Sequence, residues 1–533
     1  MSPHLDAVYV ILAFAFVSVT LFFRKKRALG FLRGPPAKST LLGHEFDLLN
    51  AEACTLELEW TKRYGTVFRS AGCYGEQILM VADPRALQHI YEMNYKYPRS
   101  KDNQRAFKKL LGRGILWAEG DDHSRHRKTL NPAFSAAQSR GFLPLFQNCS
   151  DRLQSRWEAS LQGETKVINV YDWLSRLTLD IIGEGAFNYR FGALDNKSDE
   201  FSHILETLFT DTKMPTERTI LFRAFRRSMP NWIGDLCDYY ATWFPSKEDA
   251  RFANFQNFSK GIARGLLDEH MAASADYAAK KDILSLLARS PSIDDAKKKM
   301  DEDEVLSQMA TVILAGHDTT AASIAWILYE LAKRPEEQAK VWEEIAHVRS
   351  LNHGELTPAD YDSMPFLNAI IKEGLRYHAI SPLLYRNSGV DDVIPLSQPI
   401  TSSSGDVITE VPVRKGQRII FCIGSYNRLP EVWGADADSW NPARFLTLNQ
   451  KKQIPVGLYG NTLTFSAGVK GCIGWNFAVL EMQAVLFQLM ESFEFSMPPG
   501  VEVMRIMGAI MVPMIKDKLQ EGIKMPLLTK SRK

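Results

Sequence analysis

The chain has 533 residues, of which 45% are hydrophobic and 24% are charged, so it is long enough to bury a large core. A formal net charge of +2 and the lack of a basic tail exclude a protein that binds nucleic acid through bulk charge. The six cysteines are widely spread and form no CxxC pair, which excludes a disulfide framework or a zinc site and fits a reducing compartment.

The N-terminus has the pattern of a membrane anchor. Residues 7–23 form an uncharged apolar run, near the short end of the roughly 17–25 residues that span a bilayer. A basic cluster at residues 24–27 follows at once and marks the cytoplasmic side. The alternative, a cleaved signal peptide, would carry its charges before the apolar run. We therefore predict one uncleaved transmembrane helix within residues 1–27, a luminal N-terminus and a cytosolic catalytic domain on the endoplasmic reticulum membrane. This orientation leaves three glycosylation sequons in the cytosol, at Asn148, Asn196 and Asn257.

The segment after the anchor changes from a connector to short strands. Gly34-Pro35-Pro36 predicts a stiff, non-helical link within a Pro-rich connector over residues 28–50. Runs of β-forming residues at 66–68 and 78–81 predict two short strands, and residues 84–93 predict a helix.

The rest of the chain is dominated by helical periodicity. It extends from about residue 135 to 385, with loops near Pro215, Pro230 and 290–292. Short β runs then occur at Ile394, 407–408 and 418–423, a helix follows Cys472, and residues 493–528 predict strands and turns. Because no repeat or low-complexity linker divides the chain, we predict one mainly α-helical body over residues 51–533 with a minor β part.

One cysteine lies in a glycine-punctuated turn, Phe465-Ser466-Ala467-Gly468-Val469-Lys470-Gly471-Cys472-Ile473-Gly474. An apolar helical pattern follows over residues 475–490. A thiolate before a helix N-terminus faces the positive end of the dipole, which lowers its pKa and suits it to bind iron. Two alternatives stay open from these residues alone: a small buried hydrophobe, or a nucleophile whose base must come from elsewhere.

A second group of polar residues, Ala315-Gly316-His317-Asp318-Thr319-Thr320, interrupts a long apolar helix predicted from about Glu304 to Ala332. The hydroxyl of Thr319 can donate to the carbonyl of Ala315 four residues earlier, and Gly316 removes a side chain nearby. These residues therefore predict a small polar notch in an apolar wall. The alternative is a core helix with a few satisfied polar groups.

Two further pairs have helical spacing. Glu373 and Arg376 share one helix face, and Pro442-Ala443-Arg444-Phe445 lies downstream. His123 and Arg127 share another face. Taken alone, either pair is compatible with an ordinary solvated surface.

Together these segments resemble the cytochrome P-450 family, whose motifs occur here in the family's order over roughly residues 35–520. The matching patterns are Phe-x-x-Gly-x-Arg-x-Cys-x-Gly, [Ala/Gly]-Gly-x-[Asp/Glu]-Thr-[Thr/Ser], Glu-x-x-Arg, Pro-x-Arg-Phe and Trp-x-x-x-Arg. The chain departs from them at two positions, because Lys470 replaces an arginine and His123 replaces a tryptophan.

The resemblance implies the cytochrome P-450 fold, a large helical domain with a small β-rich part, here preceded by the transmembrane helix. It implies haem b with the Cys472 thiolate as axial iron ligand. The other residues that it places around the haem are Phe465, Gly468, Ala315 and Gly316, with Lys470, His123, Arg127 and Arg386 as candidate propionate contacts. Glu373, Arg376 and Arg444 are implied to form a buried network that supports the haem loop.

The implied activity is a fungal-like haem-thiolate monooxygenase that inserts one oxygen atom of O2 into a lipophilic substrate. Thr319 and Asp318 are implied to hold water and deliver protons, whereas His317 occupies a variable position and is expected to be structural. A terpenoid or other natural product is the expected substrate, and a fatty acid or xenobiotic is the alternative. The apolar pocket wall is expected from residues 107–117, 201–225, 312–319, 380–384 and 507–510.

Electrons are expected from NADPH through a separate cytochrome P-450 reductase, with cytochrome b5 as an optional second donor, because no flavin domain is fused. Arg125 and Lys128 are candidate docking residues for an acidic partner. Leu221, Phe222 and Trp232, interleaved with Arg223, Arg226 and Arg227, are candidate bilayer contacts. A haem-thiolate isomerase or dehydratase and a non-catalytic haem-binding protein remain the rival functions.

Overall fold

A computed structural model describes residues 28–195, 204–205, 208, 215–229, 232, 239, 246–272, 283–289, 299–447 and 453–532. The predicted transmembrane helix, the sequon at Asn196 and the loops near Pro230 and 290–292 lie outside the described residues. The chain divides into two compact units. The first comprises Met1–Ser100, Met214–Cys237 and Leu383–Tyr426, and the second comprises Lys101–Lys213, Asp238–Pro382 and Asn427–Lys533.

The described helices are α1 (Glu45–Asn50), α2 (Leu56–Tyr64), α3 (Pro84–Glu92), α4 (Lys101–Leu111), α5 (Gly120–Leu130), α6 (Ala136–Arg140), α7 (Leu143–Leu161), α8 (Val170–Phe187), α9 (Glu217–Ser228), α10 (Lys247–Ala272), α11 (Ile283–Arg289), α12 (Glu302–Ala332), α13 (Pro335–Leu351), α14 (Pro358–Asp362), α15 (Pro365–Tyr377), α16 (Ile423–Tyr426), α17 (Pro430–Trp433), α18 (Arg444–Thr447) and α19 (Trp475–Ser492). The described strands are β1 (Val67–Ala71), β2 (Gln77–Val81), β3 (Lys166–Asn169), β4 (Leu383–Asn387), β5 (Asp392–Thr401), β6 (Val407–Val413), β7 (Arg418–Cys422), β8 (Phe493–Ser496), β9 (Val503–Met507), β10 (Met511–Ile515) and β11 (Pro526–Ser531).

The first unit is built on a four-stranded sheet of order β1-β2-β7-β4, in which β2 and β7 are parallel and the other pairs are antiparallel. The strands predicted at 66–68 and 78–81 are confirmed as β1 and β2, and the helix predicted at 84–93 is confirmed as α3. Strand β4 begins at Leu383, where the region predicted to be mainly helical, about residues 135–385, ends. Its residues pair with β7 more than thirty positions later, and a short apolar run does not reveal its period.

A buried charge cluster anchors α9 within the first unit. Arg227 Nη2 lies 2.6 Å from Glu45 Oε1 and 3.0 Å from Glu76 Oε2, and Arg418 Nη1 lies 2.9 Å from the same Glu45 oxygen. Burial raises the pKa of Glu45, but Arg418 and Arg227 outweigh it and bring the pKa to about 2. Arg227 was predicted to contact the bilayer. Because its side chain is only 13% exposed and is paired with Glu45, it is not available to lipid headgroups.

The apolar residues of the same region divide between core and surface. Leu221 is partly buried against the cluster of Cys73, Ile220 and Ala224, so part of its side chain is turned away from a bilayer. Phe222 and Trp232 are 58% and 67% exposed, in keeping with a surface role.

The second unit contains most of the helices and two small sheets. The sheets have the orders β3-β11-β8 and β10-β9. The helices predicted after Cys472 and across Glu304–Ala332 are confirmed as α19 and α12, and the strands predicted within 493–528 are confirmed as β8 to β11. Strand β3 is a short exception within the region predicted to be mainly helical, and the sequence pattern does not reveal it because its partner β11 is about 360 residues away. The mainly helical fold with small sheets is therefore as predicted.

Helix α12 is the longest described helix and is mostly buried. Asp301 caps it in a capping box with Glu304, so its first turn is well defined. Among the described residues, only α12 is long and apolar enough to cross a membrane by composition, and 67% of its apolar window is buried in the protein. The helix is thus a core element that can present a few polar side chains to an internal site.

Candidate active site

The turn before α19 positions the sulfur of Cys472. The Cys472 amide donates to the Phe465 carbonyl (2.8 Å) and the Gly471 amide donates to the Gly468 carbonyl (3.0 Å), which closes the turn on itself. Gly468 has a φ of 62°, a left-handed conformation that glycine adopts without strain. The chain fold therefore delivers the thiol directly ahead of the helix N-terminus, as the sequence predicted.

The Cys472 thiol faces an internal space rather than the outer surface. Its side chain is accessible, yet enough protein surrounds it that desolvation raises the pKa of the thiol. The Gly474 amide and the positive charge of Arg127 act in the opposite direction, because both favour the thiolate. An accessible sulfur with a backbone N–H donor and a nearby cation is a suitable ligand for a metal in a prosthetic group.

Helix α12 carries the predicted polar notch. Thr319 Oγ1 donates to the Ala315 carbonyl at 2.7 Å, which confirms the predicted hydrogen bond within the helix. Ala315 is exposed although the residues on either side of this segment are largely buried, so this face of α12 borders open space. The Ala315 methyl group is thus exposed on this face, and the partly exposed Thr319 hydroxyl lies one turn further along.

The role of Gly316 differs from the prediction. A Cβ at Gly316 would lie 2.8 Å from Cδ1 and 2.9 Å from Cγ1 of Ile182 on α8. The space left by the missing side chain is therefore filled by α8, and this glycine serves close helix packing rather than enlarging the notch.

Asp318 is held from two sides. Tyr171 on α8 donates to its Oδ1 at 3.3 Å, and Nε2 of His317 lies 3.1 Å from the same oxygen. Burial, and then the Asp318 charge, raise the pKa of Tyr171 well above its usual value, so the phenol stays protonated. Tyr171 has no local sequence pattern that points to this role, because it lies 147 positions before Asp318.

The three residues predicted to form a network do so. Arg376 Nε and Nη2 each donate to Glu373 at 2.7 Å, and Arg444 Nε lies 3.2 Å from Glu373 Oε2. The side chains of Glu373 and Arg376 are fully buried and that of Arg444 is 3% exposed. Two guanidinium groups thus share one buried carboxylate, an arrangement that arginine's planar fork permits.

Asn427 connects this network to the cysteine turn. Its carbonyl accepts from Arg376 Nη1 at 2.8 Å, while its side chain accepts from the Leu463 amide at 3.0 Å and donates to Thr464 Oγ1 at 3.1 Å. Thr464 directly precedes Phe465, where the turn begins. Asn427 is not predictable from the sequence, since an asparagine in a segment without a motif has no distinguishing spacing.

Helix α5 brings one of its predicted residues, Arg127, to the turn. Arg127 donates to the Gly471 carbonyl through Nη1 and to Asn131 Oδ1 at 2.9 Å, and His123 is buried. Arg125, by contrast, pairs with Glu304 at 2.7 Å and is only 13% exposed at its side chain. The prediction that Arg125 belongs to a docking face is therefore wrong, whereas Lys128 is exposed.

Lys470 and Arg386 have other partners in the protein. The buried ammonium of Lys470 pairs with Glu119, the residue just before α5. Arg386 lies in β4 of the first unit, where it donates to the Tyr385 carbonyl at 3.2 Å and lies over the ring of Phe421. The cysteine turn, the notch, Lys470, His123 and Arg127 all belong to the second unit.

Comparison with known proteins agrees with this geometry. A family sequence profile described as cytochrome P-450 matches residues 35–520. The chain belongs to the cytochrome P-450 family. It is 31% identical to cytochrome P-450 monooxygenase 128 of Postia placenta, over 94% of this chain and 92% of that protein. It is 33% identical to cytochrome P-450 monooxygenase 91 of the same fungus over 89% of each chain, and 28% identical to cytochrome P-450 monooxygenase claW of Ampulloclitocybe clavipes over 99% and 97%.

As a cytochrome P-450, the protein is an oxidoreductase of the monooxygenase type, and the family implies a haem iron with a thiolate ligand. The residues present fit that group. Cys472 offers an accessible sulfur, and the exposed Ala315 lies on a core helix of the same unit. The accessible thiol and the open face of the notch are thus chemically compatible with a haem group.

Proposed function

We propose that Cys472 is the axial ligand of haem b in a monooxygenase that oxidises a lipophilic substrate. The observation that carries this proposal is the accessible Cys472 thiol, which receives an N–H donor from Gly474 and the field of Arg127. When bound, a haem-thiolate centre supplies the reductive activation of O2. Phe465 and Gly468 shape the turn around the sulfur. Cys472→Ala should lose the thiolate-shifted Soret band of the reduced, CO-bound protein.

The propionates are proposed to contact His123, Arg127, Lys470 and Arg386. Arg127 supports this role best, because its guanidinium already reaches the turn at Gly471. Lys470 would act as a point charge while it also pairs with Glu119, and His123 would donate one hydrogen bond. Haem release should accelerate more in Arg127→Gln than in a control substitution of exposed Lys128, Lys128→Gln.

Asp318 and Thr319 are proposed to deliver protons. The hydroxyl of Thr319 is a donor to Ala315 and leaves its lone pairs to hold water, while the Asp318 carboxylate exchanges protons with that water. Thr319→Ala should keep haem but divert electrons from product to peroxide. Thr311 makes the same backbone hydrogen bond to Ser307 two turns earlier, so Thr311→Ala is the matched control. Equal coupling in Thr319→Ala and the control would remove Thr319 from this role.

The substrate is proposed to be a terpenoid or another lipophilic natural product, and a fatty acid or xenobiotic is the alternative. The support is the apolar composition of segments such as residues 107–117 and 507–510, which suits a lipophilic ligand. A library screen read by the spin-state shift of the ferric iron tests the substrate class directly. Shifts with fatty acids alone would favour the alternative.

The protein is proposed to be a single-pass protein of the endoplasmic reticulum membrane that receives electrons from an NADPH-dependent reductase, with cytochrome b5 as an optional donor. The apolar run at residues 7–23 and the exposed Phe222 and Trp232 support membrane contact. Exposed Lys128 remains the candidate docking residue. Lys128→Glu should slow reductase-driven turnover, whereas Lys518→Glu, at a site 58% exposed, should not.

Two rival functions are separated by simple measurements. A haem-thiolate isomerase or dehydratase would rearrange peroxides without consuming NADPH, and such enzymes tend to lack the acid–threonine pair found here. A non-catalytic haem protein would bind substrate without any NADPH-linked product. NADPH consumption with a reductase and a substrate that shifts the spin state therefore distinguishes a monooxygenase from both.

A further inference from the structure

Helix α8 makes polar contacts with α12 at the two residues that precede Thr319. Thr178 Oγ1 donates to the His317 carbonyl at 2.9 Å, and Tyr171 donates to Asp318 Oδ1 at 3.3 Å. The close approach at Gly316 fixes the distance between the two helices. The acid of the notch is thus placed by a neighbouring helix as well as by its own.

Both contacts of the Asp318 side chain involve the same oxygen. Oδ1 accepts from the Tyr171 phenol and lies 3.1 Å from Nε2 of His317. Among the residues that the structure describes, Oδ2 has no protein partner, and the Asp318 side chain is 14% exposed. A carboxylate held by one oxygen keeps the other available for water.

His317 is suited to this task by its burial. Its side chain is 4% exposed, and its Nδ1 makes no hydrogen bond within the described part of the chain. Thr178 on α8 donates to the His317 carbonyl, so the backbone that carries the imidazole is held by both helices. The polar contact of the imidazole is Asp318. This contact gives His317 a more specific role than the purely structural one that its variable position predicts.

Resting on the function proposed above, we propose that Tyr171 and His317 are positioning residues that hold Asp318 by Oδ1, so that Oδ2 exchanges protons with water beside Thr319. Preorganised groups avoid the cost of reorienting a carboxylate at each turnover. Tyr171 supplies the hydrogen bond from one helix, and His317 restrains the carboxylate from the other.

The variants separate positioning from general packing. Tyr171→Phe removes one hydroxyl and no ring, so the packing of α8 is retained. Thr178→Val removes the other α8–α12 hydrogen bond without touching Asp318 and is the matched control. His317→Gln retains an amide donor near the Nε2 position, whereas His317→Ala retains nothing.

The first measurement is the infrared carboxylate band of Asp318 in 13C-aspartate-labelled ferric enzyme, assigned by its loss in Asp318→Asn. It requires no turnover and so tests the contacts even if the proposed function fails. We expect the band to shift or broaden in Tyr171→Phe and His317→Ala, and to keep the wild-type position in Thr178→Val and His317→Gln. An unchanged band in Tyr171→Phe and His317→Ala would overturn the inference.

The second measurement is the ratio of peroxide to product with NADPH and reductase. We expect Tyr171→Phe to raise this ratio about tenfold, since a hydrogen bond to a charged group is lost. Thr178→Val should lower the thermal midpoint but keep the ratio, and His317→Gln should restore most of the coupling lost in His317→Ala. Equal ratios in Tyr171→Phe and Thr178→Val would reduce the effect to helix packing and overturn the inference. Absence of the thiolate-shifted CO band in the wild type would instead refute the proposed function alone.

Discussion

Replacing Asn427 by alanine should loosen the cysteine turn without removing any residue near the sulfur. The change removes the acceptor of the Leu463 amide and the donor to Thr464 Oγ1. Leaving a buried amide without an acceptor costs about 1–3 kcal/mol, and the second hydrogen bond contributes about 0.5–1.5 kcal/mol. The free energy of unfolding should therefore fall by about 1.5–4.5 kcal/mol, a large share of the roughly 5–15 kcal/mol that stabilises a typical protein.

The assay compares unfolding with haem loss. If about half of the lost free energy falls on the turn, roughly 1.4 kcal/mol, transfer of haem to apomyoglobin should accelerate about tenfold. Asn368→Ala is the matched control, because Asn368 donates to the carbonyls of Tyr361 and Met364 and accepts from Gln483 Nε2 at 2.6 Å, and none of these described hydrogen bonds reaches the turn. It should lower stability with little change in haem release. Equal haem release in the two variants, or wild-type release in Asn427→Ala, would refute the proposed connection.

Two further predictions concern packing and pH. Gly316→Ala should destabilise the protein by about 1–2 kcal/mol in urea unfolding, since the clash with Ile182 outweighs the better helix propensity of alanine. Adding Ile182→Ala in a double variant should relieve the clash. A Gly316→Ala protein more stable than the wild type would contradict this prediction. Burial lowers the pKa of His378 to about 4, so the imidazole binds a proton more tightly in the unfolded than in the folded state. The free energy of unfolding should therefore fall by about 2 kcal/mol from pH 7 to pH 5. His378→Gln keeps a donor for Glu330 and should flatten this pH dependence; an unchanged slope would exclude His378 as its source.

The sequence was informative where chemistry depends on residues close together in the chain. Cys472 and its glycines, the bond from Thr319 to Ala315, and the pairing of Glu373 with Arg376 all lie within ten positions and have a defined helical or turn spacing. The helix before Ala332 and the one after Cys472 also have long apolar patterns, which periodicity detects well.

Contacts between distant segments were not predictable in this way. Tyr171 and Asn427 have no local pattern, and their partners are 147 and 36 residues away. The same limit explains Gly316: its missing side chain predicts an open notch, but Ile182 on another helix fills the space. The sequence predicts Arg125 as a surface cation, because its buried partner Glu304 lies 179 positions further along and no local pattern links the two.

Helix α12 is fixed at its beginning, middle and end. The cap of Asp301 and the pair of Glu304 with Arg125 fix its first turn, Ile182 packs at its middle, and Glu330 bonds to His378 near its end. Each residue of an α-helix advances the direction of the side chains by about 100°. One inserted or deleted residue between these points would turn the acid and threonine away, whereas substitutions on the faces between them leave the register intact. Changes in substrate preference that involve this helix should therefore arise by substitution of side chains, while the number of residues in the helix stays constant.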